Sequence, residues 1–271
     1  MLEFLSYRFI TNALLISLLC SISSAIIGSW IVVKRKVLIS GGITHASFGG
    51  IGLAYFLGIN PIIGSAVFAI AAAIGIEISS QRKLLREDSA IGIFWSLGMA
   101  LGIIFIFLTP GYAPDLNGYL FGNILTVNNF DLIVSAALCI VLILWFVGNY
   151  NKILFISYDE EFAAARHANV KLISMILMLF TALTIVINIK ISGIILVISM
   201  LCIAQATANF LTHNFKKIII YSFIINLFAC VMGIIISWWL NIPSGASIIF
   251  VLTIVAILVR IVCRLMRFEK H

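Results

Sequence analysis

Apolar segments, each long enough to cross a membrane, make up most of this chain, and the gaps between them carry nearly all of its positive charge. A crossing needs about 20 apolar residues. Fifteen of the seventeen Lys and Arg residues lie in alternate gaps, and only Arg8 and Lys190 lie elsewhere. Because basic residues concentrate in short cytoplasmic loops, the pattern predicts an external N-terminus and a cytoplasmic C-terminus. Nine crossings are predicted, at residues 10–33, 37–57, 61–80, 89–108, 130–149, 171–189, 191–211, 217–240 and 244–265.

The number of crossings has one alternative. The segments that meet at Lys190 are separated by the weakest break in hydropathy, so eight crossings with a broken helix there form the second possibility. Nine are favoured, because every basic cluster then lies on one side of the membrane. In either case the fold class is all-α, a polytopic membrane protein.

Composition limits what else the chain contains. With 63% apolar and 10% charged residues, it has no room for a separate soluble domain, so residues 1–271 are predicted to form a single transmembrane domain. The net charge of +7 is spread over several loops, where it faces anionic lipid headgroups. No basic stripe forms, which argues against nucleic acid as a partner.

Two extramembrane stretches have unusual patterns. The outer stretch 109–129 contains the apolar piece Leu120-Phe121-Gly122-Asn123-Ile124-Leu125, either a short helix that dips into the interface or a buried loop. The cytoplasmic stretch 151–171 has an acidic start at Asp159, an alanine-rich body and a basic end at Arg166, which is the order that complements a helix dipole. Such a helix is either a stable loop or a docking element for a cytoplasmic partner.

The second apolar segment contains the best candidates for functional residues. Gly41, His45, Gly49 and Gly52 recur at helical spacing, so small residues on one face allow a second helix to approach closely. An ionisable group within a span is costly and is a candidate functional residue, and an imidazole binds either a transition metal or a proton. The alternative is a histidine that only hydrogen-bonds to a neighbouring helix.

Several motifs are absent from the sequence. It has no G-x-x-x-x-G-K-[ST] phosphate loop, so transport energy must come from an ion gradient or from another subunit. It has neither H-E-x-x-H nor G-x-S-x-G, so we do not expect an enzyme.

The chain resembles the permease subunits of ABC importers for zinc, manganese or iron, which work with cluster A-I metal-binding proteins. The segments that carry the resemblance keep a shared order along almost the whole chain. They are Leu38-Ile39 through Thr44-His45-Ala46, Glu87-Asp88-Ser89-Ala90-Ile91-Gly92, Leu120 to Leu125, Ser157-Tyr158-Asp159-Glu160-Glu161-Phe162-Ala163, Gly193-Ile194-Ile195-Leu196-Val197, Ala206-Thr207-Ala208 and Pro243-Ser244-Gly245-Ala246.

The resemblance implies a type II ABC-importer-like permease in a bacterial cytoplasmic (inner) membrane. Two copies of the chain would form a homodimer with the path for the divalent ion along its two-fold axis. Two cytoplasmic ATPases would hydrolyse ATP, an extracytoplasmic metal-binding protein would deliver the ion, and the chain itself would hold no cofactor. The resemblance further implies that a coupling helix at about 157–168 docks into the ATPase through Asp159, Glu161, Phe162, Ala163 and Arg166. It also implies that His45 faces the metal, with Gly41, Thr44 and Gly49 lining the path.

This chain departs from the family pattern at two positions. The family commonly has an Asp-x-x-x-His pair, whereas Gly41 stands here one helical turn before His45. Two copies of His45 supply two nitrogens, fewer than the four ligands that zinc prefers. His167 occupies the position where family members often have the glycine that ends the coupling helix.

Two other functions stay open at this point. One is a gradient-driven secondary transporter in which His45 relays protons, a class that would favour broken helices and inverted repeats. The other is an ABC permease of the siderophore or cobalamin type, with the same architecture and a wider path.

Overall fold

A computed structural model describes residues 8–110, 118, 122 and 124–268. Ten α-helices and one short 3-10 turn account for the regular structure in these residues, and no strand occurs among them. The helices are α1 (Arg8–Val33), α2 (Leu38–Leu57), α3 (Pro61–Gln81), α4 (Glu87–Leu108), α5 (Asn129–Gly148), α6 (Tyr150–Tyr158), α7 (Glu160–Ala165), α8 (Val170–Leu211), α9 (Phe215–Leu240) and α10 (Ser244–Phe268); the 3-10 turn is Ile124–Thr126.

Local sequence signals explain where the helices begin and end. The Asn60 side chain accepts a hydrogen bond from the amide of Ile62 at 2.9 Å, and Pro61 occupies the first helical position of α3. Gly58, with φ of +68°, ends α2 in the left-handed conformation that favours glycine. Asn214 caps α9 in the same way as Asn60 caps α3, by accepting from the amide of Lys217 at 3.2 Å.

The predicted spans correspond to the observed helices. Among the described residues, seven helices are long and apolar enough to cross a membrane, namely α1, α3, α4, α5, α8, α9 and α10 up to Met266. Helix α2 has 20 residues, enough for a crossing of about 30 Å, but its glycines and polar residues lower its hydropathy. Helix α8 has 42 residues, about twice the length that one crossing needs. Counting α8 as two segments and including α2 gives the nine predicted spans.

Helix α8 is interrupted where two predicted spans meet. Gly193 has φ of +77° and ψ of 165°, far from helical values. The backbone of Gly122, itself at φ of +63°, lies directly against Ser192 and Gly193, so closely that a Cβ atom on Gly122 would overlap their backbone atoms. Glycine is therefore required at position 122 both by its conformation and by this contact.

Half of the apolar piece 120–125 lies outside the described residues. Of the six residues, the structure describes Gly122, Ile124 and Leu125. Ile124 begins the 3-10 turn and its side chain is buried. The proposed interfacial helix over this piece stays a prediction.

The chain divides into two compact units. The first comprises Met1–Arg35, Leu120–Val141 and Ile191–His271, and the second comprises Lys36–Tyr119 and Leu142–Lys190. In the first unit α9 packs against both α1 and α10. Buried amides reinforce this unit: Gln205 Nε2 donates to the carbonyl oxygens of Ser24 (2.8 Å) and Met200 (2.9 Å), and Asn226 Nδ2 also donates to Met200, at 3.0 Å. In the second unit α2 packs against both α3 and α4. The single domain over residues 1–271 stays a prediction.

The predicted orientation can be tested with two exposed connections. Ile59 lies between α2 and α3, Leu84 lies between α3 and α4, and their side chains are 46% and 65% exposed. The distribution of basic residues predicts that Ile59 is external and Leu84 is cytoplasmic. In sealed right-side-out vesicles, an impermeant thiol reagent should label Ile59→Cys and spare Leu84→Cys, after correction for the five native cysteines. The opposite pattern would show that the topology is inverted.

Candidate functional site

The second predicted span is α2, and the glycines predicted on one face of it form its contact with α4. An added Cβ on Gly49 would lie 2.7 Å from the carbonyl oxygen of Gly98, and one on Gly52 would overlap the backbone of Gly102. The two helices therefore meet backbone to backbone, as small residues permit in lipid, where apolar burial between helices contributes little. On the other side of α2, Gly50 makes an equally close contact with the backbone of Gly64 in α3.

His45 lies within this contact and faces α4. Its ring stacks on Trp95 with a centroid separation of 4.2 Å and an interplanar angle of 17°. Its Nδ1 atom lies 3.3 Å from the sulfur of Met99. All three side chains are half-buried, so each of them has part of its surface accessible. We call His45, Trp95 and Met99 the α2–α4 triad.

The predicted lining residues have different environments. Gly41 lies one turn before His45, and a Cβ atom on it would be 2.7 Å from the Trp95 ring. Gly49 contacts the backbone of α4, as described above. Thr44 is fully buried, and its hydroxyl donates to the carbonyl oxygen of Ser40 at 2.5 Å, a bond within its own helix. The structure thus brings Gly41 and Gly49 together with His45 against α4.

Three residues of potential importance, Glu77, Trp95 and Met99, were not predicted from the sequence. Trp95 and Met99 were read only as part of an apolar span, although their i, i+4 spacing places them on one face of α4. Glu77 was also missed, although a carboxylate within an apolar span is a detectable signal. It is 4% exposed and accepts a hydrogen bond of 2.7 Å from Gln81, whose amide also donates to the carbonyl oxygen of Lys171 at 3.1 Å.

An ion pair holds the start of α4 close to the start of α2. Lys36 Nζ lies 2.7 Å from Glu87 Oε2, which also accepts from the Ser80 hydroxyl at 3.3 Å. Both charged side chains are partly exposed, so the pair contributes at most about 1 kcal/mol. It fixes the register of α4 beside α2 more than it stabilises the fold.

Within the stretch 157–168, predicted to form a coupling helix, the structure has the end of α6 and the short helix α7, and Asp159 caps the N-terminus of α7. The coupling role stays a prediction. Asp159 Oδ1 accepts from the amide of Phe162 at 3.0 Å. At the other end the amides of His167 and Ala168 donate to the carbonyl oxygens of Ala164 and Ala163, which is a Schellman motif. His167 adopts φ of +57° in this motif. A left-handed residue without a glycine costs about 1 kcal/mol, so the family glycine would suit this position better.

The side chains proposed for docking are mostly exposed on α7. Asp159, Glu161 and Arg166 are exposed, whereas Ala163 is fully buried and anchors the helix. Phe162 is 43% exposed. Its ring lies edge-on to Phe155 of α6 at 5.2 Å, and the Arg166 guanidinium lies 5.4 Å from its centroid.

Tyr158 lies at the junction of α6 and α7. Desolvation raises the pKa of its phenol above the usual value, and Tyr150 raises it further. The phenol is 58% exposed at the end of α6, next to the Asp159 cap of α7.

No conventional metal cluster accompanies His45. Within residues 8–110, 118, 122 and 124–268, no three His, Cys, Asp or Glu side chains lie close enough to hold a metal ion together. None of the five cysteines, all of which lie in the described residues, forms a disulfide, and three of them are buried.

Comparison with known proteins identifies the family. A model of the family described as "ABC 3 transport family" matches residues 6–263. The chain belongs to this family. Membership confirms the resemblance to ABC importer permeases that the sequence motifs indicated.

Similar proteins match over most of the chain. It is 36% identical over 251 residues to the manganese transport system membrane protein MntC of Listeria monocytogenes, covering 93% of this chain and 89% of the relative. It is 31% identical over 243 residues to the manganese import system permease protein ScaB of Streptococcus gordonii, covering 90% and 87%.

Two solved structures share the architecture. PsaBC from Streptococcus pneumoniae in complex with Fab matches with a TM-score of 0.83 and 30% identity, covering 94% of this chain and 92% of that one. An inward-facing ABC transporter of metal-chelate type matches with a TM-score of 0.75 and 17% identity, covering 91% and 83%, and at that identity it supports the fold alone. The chain therefore has the fold of a multi-pass ABC permease.

Close contact between α2 and α4 predicts different effects for two glycines. Gly49→Ala places a methyl group 2.7 Å from a backbone oxygen and should lower stability by about 1–3 kcal/mol, the usual effect of overpacking. Gly92→Ala on exposed α4 surface has nothing within 4 Å and should be neutral or slightly stabilising. Thermal unfolding of the detergent-purified variants measures both. Equal stability of the two variants would contradict the close contact.

Proposed function

We propose that this chain is the membrane-spanning permease subunit of an ATP-driven importer for a divalent transition metal ion of the zinc, manganese and iron group. Two copies form the pathway, cytoplasmic ABC ATPases supply the energy, and an extracytoplasmic metal-binding protein delivers the ion. The complex lies in a bacterial cytoplasmic membrane. The observation that carries the proposal is the family match over residues 6–263, and the relatives MntC and ScaB are named for manganese transport.

His45 is the residue that we assign to the ion pathway. Helix α2 carries it into the membrane, beside a half-buried thioether and indole, and the glycines around it remove steric obstruction. A neutral imidazole has a lone pair for a metal ion. A site with few protein donors suits transport, because the ion has to leave as well as enter.

Helix α7 is the element that we assign to ATPase docking. It is capped at both ends by its own residues, so it holds its shape without help from a partner. It presents Glu161, Arg166 and part of the Phe162 ring to solvent, a mixture of charge and one aromatic anchor. Such a surface suits a groove on a partner protein.

The function is tested by uptake into cells and proteoliposomes. Radiolabelled zinc, manganese and iron are supplied to cells with and without this chain, and then to proteoliposomes that hold the chain with its ATPase and have the metal-binding protein on the external side. The proposal requires uptake of at least one metal that depends on the chain and on ATP hydrolysis. Uptake driven by a proton gradient without ATP would favour the secondary transporter. Uptake of a metal chelate in preference to the free ion would favour the siderophore or cobalamin type.

Replacement of His45 should reduce transport severely. His45→Gln keeps much of the size and hydrogen bonding and removes the imidazole, so we expect uptake to fall by at least tenfold, in line with the loss of a metal-facing group. His213→Gln is the matched control, because His213 lies in the connection between α8 and α9. Near-normal uptake by His45→Gln, with normal assembly, would mean that His45 only packs.

Replacement of exposed residues on α7 should uncouple the complex. The double variant Glu161→Ala with Phe162→Ala removes one charge and the aromatic anchor and leaves the Asp159 cap intact. We expect loss of ATPase co-purification and at least a tenfold fall in uptake, because interface anchors carry most of the binding energy. Leu84→Ala, in the exposed connection before α4, is the control. Wild-type assembly and transport by the double variant would place docking elsewhere.

A further inference from the structure

The α2–α4 triad combines donors of a particular chemical kind. An imidazole nitrogen of His45 and the thioether sulfur of Met99 approach to 3.3 Å across the helix contact. They come from different helices, and backbone-to-backbone packing at Gly49 and Gly98 fixes the separation of those helices. The pairing therefore follows from the helix contact and does not depend on a flexible loop.

The spacing of the two atoms suits one shared metal ion. Metal ions of the zinc type bind imidazole nitrogen at about 2.0 Å and thiolate sulfur at about 2.3 Å, and an uncharged thioether sulfur binds at a somewhat longer distance. With the observed 3.3 Å between Nδ1 and Sδ, an ion at such distances has an N–metal–S angle of about 90–100°, which a distorted tetrahedral site accommodates. The two positions that remain can be filled by water or by donors from a second copy of the chain.

The donor set discriminates between metals. Thioether sulfur prefers soft or borderline ions, imidazole suits zinc and copper, and manganese prefers carboxylate, carbonyl and water oxygens. The charged residues of α2–α4 are Glu77, which is bonded to Gln81, and Glu87 and Asp88, which occupy the cytoplasmic first turn of α4. None of these carboxylates contacts the triad, so the triad is poor in the hard donors that manganese requires.

Trp95 prevents a carboxylate from entering this site from α2. Its ring occupies the space that a Cβ atom at position 41 would need, at 2.7 Å, and it stacks on His45 at the same time. Gly41 and Trp95 are thus matched to each other. An Asp at position 41 requires Trp95 to move, which would also remove the surface on which His45 stacks.

We infer that the α2–α4 triad is a nitrogen- and sulfur-donor metal site that selects a borderline-to-soft ion of the zinc type over manganese. This inference rests on the proposed function and assigns its substrate class. Met99 is a ligand in this account, and Trp95 is a positioning residue that orients the imidazole and excludes a hard donor.

Zinc-edge X-ray absorption of the purified, zinc-loaded complex tests the site without relying on transport. The wild type should show a sulfur neighbour slightly beyond the distance of about 2.3 Å that is typical of a thiolate ligand, and this neighbour should disappear in Met99→Leu, a substitution that conserves volume. Met175→Leu, at a half-buried methionine of α8, is the matched control and should keep the sulfur signal. Absence of sulfur in the wild type, or its retention in Met99→Leu, would overturn the inference and leave only an N–H···S hydrogen bond.

Uptake of labelled zinc and manganese by the same complex tests selectivity. Wild type should take up zinc in at least tenfold preference to manganese, and Met99→Leu should lose most of that preference through slower zinc uptake. The double variant Gly41→Asp with Trp95→Ala supplies a carboxylate and the room for it, so it should shift preference towards manganese. Equal uptake of both metals by the wild type would overturn the inference while the proposed function stands. Failure to transport any metal would overturn the proposed function, and the absorption spectrum would still decide the site.

Discussion

The contact of α2 with α4 through facing glycines is the constraint on which the site depends. In lipid the attraction between apolar side chains gives little preference for one helix over another, so close backbone approach and van der Waals packing must specify the partner. Gly49 and Gly52 meet Gly98 and Gly102 with no room for a side chain. This approach brings His45 within reach of Trp95 and Met99, which a pair of helices with larger interface residues would hold apart.

Much of the architecture could be predicted from the sequence because hydropathy and charge are local signals. The span bounds agree with the helices to within a few residues, and Asp159 and Asn60 act as caps, as their residue types favour. The boundary between the two apolar segments that meet at Lys190 was the hardest to predict. The structure shows one long helical element interrupted at Gly193, where a glycine in an otherwise apolar run gave only a weak signal.

The site was predictable only in part. His45 and its glycine face are visible in one helix, because helical periodicity places them together. The identity of the facing helix and its rotation depend on packing between distant segments, so Trp95 and Met99 could not be assigned from a single sequence. In the sequence, Gly41 in place of the family Asp means one carboxylate fewer beside His45. The structure gives it a steric reason, because Trp95 fills the space.

The proposed nitrogen- and sulfur-donor site would give this permease different metal donors from the family pattern on the same family fold. The relatives are named for manganese, which is a hard ion, whereas the donors of the α2–α4 triad favour a softer ion. The proposed docking through α7 does not depend on this site, because α7 is stabilised by its own caps.

The central claim is that position 45 lies on a path that opens alternately to the two sides of the membrane. It is tested most directly by His45→Cys in a background in which the five native cysteines are replaced by serine. The complex is reconstituted in proteoliposomes and probed with an impermeant thiol reagent from each side, without nucleotide and with ATP trapped by vanadate. The account predicts that labelling moves from one side to the other between the two states. Protection from both sides in both states would contradict it.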